Sequence, residues 1–229
     1  MNAAIFARLW RRAALGILLF GTCGCFHVRQ MISLHADGSG EFHAFYSAPL
    51  EVIRAIEEQA GSEAGEGEGP VQFSFDESQI REDFKDYEAQ GIRLEHVAVR
   101  ETEGRKEVEL RIWFESLNAL ARTEFLSDRQ ILLRRLEDGS MEFAQIAPPI
   151  QPAALDLQES LREALKGFRA ELAVETPADI LEANADRMEG RRAVWMFDVD
   201  RDPDALRRVQ LLNLRVRFAA VNPPMREFP

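Results

Sequence analysis

The chain has 229 residues, 46% of them hydrophobic and 29% charged, with a formal net charge of −11. That balance is ordinary for a globular protein with enough apolar material for one core or two small ones. It excludes a disulfide scaffold, because Cys23 and Cys25 are the only cysteines, and it argues against nucleic acid as a partner.

Arg8, Arg11 and Arg12 give the chain a basic start, and residues 13–20 are apolar. The uncharged run ends near Phe26, short of the ~20 residues that span a bilayer. Residues 1–24 therefore read as a secretory signal. Its end, Gly21-Thr22-Cys23-Gly24-Cys25, resembles the lipobox of bacterial lipoproteins. The small Gly24 makes Cys25 the expected acylated first residue, and Cys23, preceded by Thr22, is the weaker choice. Two or three acyl chains anchor stably where one does not. Loss of the leader removes three arginines and no acid, taking the charge from −11 to −14. Phe26 after the cysteine, and not an aspartate, suits the outer membrane if the host has one.

Residues 25–220 form the expected extracytoplasmic body and 221–229 an irregular tail. Glycine and glutamate at 61–70 read as a flexible acidic loop, and the prolines at 148–152 as a second break. Around these breaks a pattern recurs. Asp37-Gly-Ser-Gly-Glu-Phe42 returns as Asp138-Gly-Ser-Met-Glu-Phe143, each between two strand-like runs. After each hairpin comes a proline and a helical stripe: Val52, Ile53 and Ile56, then Leu157, Leu161 and Leu165. A short strand follows (Phe73 and Phe75; Leu172 and Val174), then an expected capped helix. Asp76 with Gln79 reads as a capping box, and Thr176-Pro177 as the matching helix start. Gly104-Arg-Lys-Glu-Val108 returns as Gly190-Arg-Arg-Ala-Val194, each leading into a strand and a short helix around Leu120 and Leu206. The strand over 92–99 has no counterpart in the second half. The halves of a duplication would be 28–122 and 129–220, sharing one pseudo-symmetric core.

Val108, Leu110, Ile112 and Phe114 alternate with Glu109, Arg111 and Trp113; Leu214, Val216 and Phe218 alternate with Arg215 and Arg217. Such strands have one buried and one wet face. The expected fold class is α+β, with largely antiparallel sheet, packed helices and two tandem hairpin–helix units.

Catalytic patterns are sparse. Of His27, His35, His43 and His96, the pair His35 and His43 flanks the first hairpin and could approach across its strands, but two ligands are too few for a zinc site without a cysteine, so neither metal nor cofactor is expected. Ser39 and Ser140 lie in turns, no Gly-x-Ser-x-Gly elbow occurs, and Glu107 with Glu109 reads as alternating exposed strand positions. Trp113 stands on the wet face of its strand, and Trp195 occupies the matching place in the second half. Either a helix covers them or they belong to a contact surface.

The lipobox-like Cys25, the Asp37-Gly-Ser-Gly hairpin and the run Pro177, Ile180, Asn184, Gly190, Trp195 together resemble uncharacterised bacterial envelope lipoproteins. The resemblance implies an α+β extracytoplasmic domain on a lipid anchor and transfers no activity. The expected role is binding or structural and non-enzymatic, with the membrane as partner through the N-terminal lipid and another envelope protein as the candidate second partner. The alternatives are an extracytoplasmic enzyme using carboxylates, or a carrier or chaperone for an apolar ligand.

Overall fold

The computed structural model describes residues 26–54, 75–123, 126, 129–146, 165–211 and 213–221. The leader, Cys23, Cys25, the acidic loop 61–70, the break 148–152, most of the helix expected after Pro152 and the tail beyond 221 lie outside them.

Strands β1 (His27–Leu34) and β2 (Gly40–Pro49) pair antiparallel. Their turn is a type I turn closed by a glycine bulge. Gly38 sits at φ 91°, and Asp37 Oδ1 accepts from the Ser39 N–H at 3.0 Å and its hydroxyl at 2.7 Å. β5 (Gln130–Arg135) and β6 (Met141–Ile146) repeat this turn. There Gly139 sits at φ 82° and Asp138 Oδ1 accepts from Ser140 N at 3.1 Å and Oγ at 2.6 Å. The recurring tripeptide thus encodes the same local geometry twice.

A helical segment starts at Leu50, directly after β2, and buries Ile53. α1 (Glu77–Glu88) is capped by Asp76, whose Oδ1 accepts from Gln79 N at 3.0 Å. The capping box is half formed, since the Gln79 amide donates forward to Asp83 at 2.6 Å. Ile80 and Phe84 bury the apolar stripe of α1 against β3 (Ile92–Thr102). β3 pairs with β4 (Arg105–Phe114), and the four apolar residues of β4 are essentially inaccessible, as their alternation predicts.

Near Glu95 the register of β3 against β4 shifts by one residue. Counting outward from the turn without that bulge would set Glu95 against Ile112 and Arg93 against Phe114, in the core. The extra residue sets Leu94 and Ile92 there and turns both charges outward. β4 leads into α2 (Leu117–Ala121), capped by Ser116.

In the second half β7 (Arg169–Glu175) runs parallel to β1, and β10 (Arg192–Asp198) pairs antiparallel with both β7 and β9 (Arg187–Glu189). These strands complete a seven-stranded sheet of order β3-β4-β2-β1-β7-β10-β9. The chain passes through β8 (Ile180–Ala183) before β9, and through α3 (Ala205–Gln210) before β11 (Asn213–Phe218). β5, β6, β11 and β8 form a second, four-stranded sheet in the order β5-β6-β11-β8. The β11 alternation holds, with Leu214, Val216 and Phe218 buried. One cluster of buried side chains spans both sheets and the helices. The fold is α+β and largely antiparallel, with β1–β7 a parallel pairing.

The sequence repeat survives in the turns but not in the strand pairing. β2 pairs with β4, whereas its counterpart β6 pairs with β11, and β4's counterpart β10 lies in the other sheet. The larger sheet takes four strands from the first half and three from the second. The expected pseudo-symmetric pair of units is therefore replaced by one interleaved body. The three-residue β9 is a short counterpart of β3, preceding the Gly190 turn (φ 60°) as β3 precedes the Gly104 turn (φ 76°).

The helix expected at Thr176-Pro177 is absent; the chain there enters β8. Thr176 does not cap, because its hydroxyl donates to the carbonyls of Ala178 (2.7 Å) and Arg191 (3.2 Å) and is not used as an acceptor for a first helical turn.

Candidate contact surface

The two faces of the large sheet differ. Val28, Ile32, Phe42, Ala44, Tyr46, Leu110 and their neighbours point into the core. The opposite face carries His27, Arg29 and Met31 of β1, His43 and Phe45 of β2, and Glu109, Arg111 and Trp113 of β4. This follows from the registers His43↔Arg111, Phe45↔Glu109 and Glu41↔Trp113.

Trp113 lies on this face, half-buried, with the Arg93 guanidinium 4.7 Å from its ring centre. Arg29 lies 4.5 Å over Phe45 in the same way. Such contacts contribute about 0.5–1 kcal/mol each at exposed sites and shield aromatic faces from water. The charges are largely paired. Glu95 meets Arg93 at 3.3 Å and Arg111 at 3.6 Å, Arg192 meets Glu171 at 3.4 Å, and Arg169 meets Asp198 at 3.1 Å. His43 donates to Glu41 at 2.8 Å, which holds the Glu41 carboxyl below its ordinary range. The arginine over Trp113 is not legible in the linear pattern, because the bulge at Glu95 sets that register.

Trp195 corrects the sequence expectation. It is buried, 2% exposed, on the core side of β10 with Ala193 and Phe197, and its indole N–H donates to the Asn184 carbonyl at 2.9 Å. It belongs to the core and not to a contact surface. The exposed large apolar side chains of this region are instead Met196, Met188 and Leu181.

The catalytic candidates do not converge. Ser39 Oγ donates to Asp37, and His35 Nδ1 lies 3.1 Å from the same oxygen. A nucleophilic triad needs the imidazole between hydroxyl and carboxylate; here the serine stands between them. Ser140 binds Asp138 identically with Arg217 in place of the histidine, which identifies turn chemistry. His43 sits opposite Met31 in the hairpin, away from His35 in the turn. Among the described residues no three His, Cys, Asp or Glu side chains gather to hold a metal ion. Glu107 and Glu109 both lie on the outer face of β4, opposite Ser47 and Phe45. Between the sheets, Ile32, Phe42, Leu172, Leu126, Gln145 and Leu214 border a gap of about 10 Å³, room for about one water.

No protein-family model matches the sequence, and no curated protein does. Among solved structures, the folded domain of the LppM protein of Mycobacterium tuberculosis, determined by NMR, is similar over 87% of this chain and 92% of its own length. The identity is 16% and the TM-score 0.44, a likeness too loose to carry a role from one chain to the other.

Proposed function

We propose that this chain is a lipid-anchored protein of the bacterial envelope whose folded body has a binding or structural role and no catalytic one. One observation carries the reading: a basic and apolar leader ends at Gly24-Cys25, and the only other cysteine, Cys23, falls within that leader. The acidic body, −14 after loss of the leader, fits a soluble domain held at a membrane by acyl chains and not by its own surface charge. The outer face of the large sheet, with Trp113 and Phe45 under arginines, is the surface on which a protein partner would dock.

The gap between the sheets, far smaller than the ~300 Å³ of ordinary ligand pockets, lends no support to a carrier reading. Metabolic labelling with an alkyne fatty acid in a bacterial host tests the anchor. Wild type should label and partition into the membrane fraction, and Cys25→Ala should do neither. Unlabelled wild type would overturn the proposal, and label retained by Cys25→Ala would move the anchor to Cys23.

A further inference from the structure

The large sheet has two ends, and only one lies near Cys25. β1 begins at His27, so one residue, Phe26, separates its first position from the cysteine, at most about 7 Å of chain. That short connection is held. His27 is in register with Ser47 of β2 and Arg169 of β7, and Arg169 N donates to the Phe26 carbonyl at 3.0 Å. The Phe26 ring stacks on Phe168 with centroids 6.3 Å apart and planes within 4°. The sheet's contacts thus reach Phe26, the residue after the cysteine.

The registers place the starts of β4 and β7 and the ends of β2, β3 and β10 at this same end of the sheet. Leu50 N donates to the Gly104 carbonyl at 3.0 Å, joining the β2 exit to the β3–β4 turn. The charge here departs from that of the whole. Among the described residues, segments 50–54, 100–107, 166–169 and 198–201 hold seven arginines and lysines against six carboxylates, whereas the mature chain carries −14. Arg105 lies beside His27, donating to Ser47 Oγ at 2.9 Å. The opposite end, with the Asp37 turn and Trp113, is eight residues farther along β4, about 26 Å away.

We infer that this end of the seven-stranded sheet rests against the lipid headgroups, with the strands standing away from the membrane and the Trp113 end presented outward. The inference depends on acylation of Cys25 as proposed above. Given that anchor, a one-residue connection leaves little freedom to tilt, and the near-neutral end is the part of an acidic body that anionic headgroups repel least. Arg29, Arg105 and Arg169 stand around His27 at the exit of the chain.

The test uses the mature, acylated protein reconstituted in vesicles of phosphatidylethanolamine and phosphatidylglycerol doped with a headgroup-spin-labelled lipid. Loss of the leader removes Trp10 and leaves Trp113 and Trp195 as native fluorophores. Arg201→Trp places a new indole at the proposed contact, where the arginine side chain is 81% exposed, and Lys166→Trp is a second variant on the neighbouring exposed turn. The emission added by either substitution should be largely lost with the labelled lipid, while Trp113 emission, read in a Trp195→Phe background, stays unchanged. Quenching of Trp113, or added emission that survives in both variants, would overturn the orientation. Mass spectrometry of the same samples separates the two failures: absent acylation defeats the anchor and the orientation with it, while acylated but unquenched protein defeats the orientation alone.

Discussion

Arg217 of β11 closes a turn 77 residues away: its Nε donates to Ser140 Oγ at 2.9 Å, and its guanidinium also pairs with Asp138. In the first hairpin the same place on Ser39 is taken by His35, four residues upstream. One turn sequence is thus secured locally in one sheet and by a distant strand in the other. Arg217→Met should lower the thermal midpoint, whereas His35→Phe should shift it less; equal shifts would show that the distant clamp adds nothing.

The glycines of these hairpins should separate by mechanism. Gly139→Ala meets no neighbouring atom, so its cost is the left-handed backbone alone, about 1–2 kcal/mol. Gly40 has an ordinary φ, but a Cβ there would run into the Ser33 carbonyl and the Phe114 ring. Gly40→Ala should therefore exceed Gly139→Ala in urea unfolding, by more than the about 1–3 kcal/mol of usual overpacking if the backbone cannot yield.

The two body tryptophans should behave unlike one another. Trp195→Ala empties a buried site and removes the hydrogen bond to the Asn184 carbonyl, so a loss of about 3–5 kcal/mol is expected. Trp113→Ala should cost about 1 kcal/mol, because it surrenders chiefly the contact with Arg93. Chemical denaturation of both variants checks the order.

How much of this could be read from the chain depended on whether one strand carried its own contrast. β4 and β11 alternate apolar with charged residues, so their faces were legible, and the paired Asp-Gly-Ser turns were legible because two residues determine them. β10 reads Ala193-Val194-Trp195-Met196-Phe197, with no polar position to mark an outside, so the sequence leaves Trp195 between core and contact surface. Thr176-Pro177 has the composition of a helix start, but the carbonyls its hydroxyl serves come from Ala178 and from Arg191, fifteen residues on. The parallel β1–β7 pairing joins segments well over a hundred residues apart and leaves no local trace. The candidate surface was half legible: Trp113 could be placed on an outer face, and its arginine could not.

The bulge at Glu95 gives a further test of register. Deleting Glu95 removes the extra residue and leaves Ile92 and Leu94 facing inward, so the variant should fold with a modest loss. Inserting an alanine after Leu94 turns Ile92 and Leu94 outward if the rest of the hairpin holds its pairing, and should be the more destabilising change. The two variants compared by thermal unfolding decide it.

Stability should fall on mild acidification through His27. Burial, with Arg105, Arg169 and Arg29 nearby, lowers its pKa from the ordinary 6.5. The unfolded chain therefore binds this proton at a higher pH than the folded one, and stability is lost as pH falls below about 6.5 toward the folded value. His27→Gln should flatten that slope in urea midpoints measured across this range. At lower pH, the depressed carboxyls of Asp37, Glu41 and Asp202 add a second loss as they protonate below their ordinary range, and this step should persist in the variant.

The central claim is that Cys25 is the acylated first residue of a body anchored at that point. Mass spectrometry of the N-terminal peptide from the membrane fraction tests it most directly. The account predicts a peptide beginning at Cys25 and carrying a diacylglyceryl group. An unmodified Cys25, or a mature chain that begins elsewhere, would contradict it.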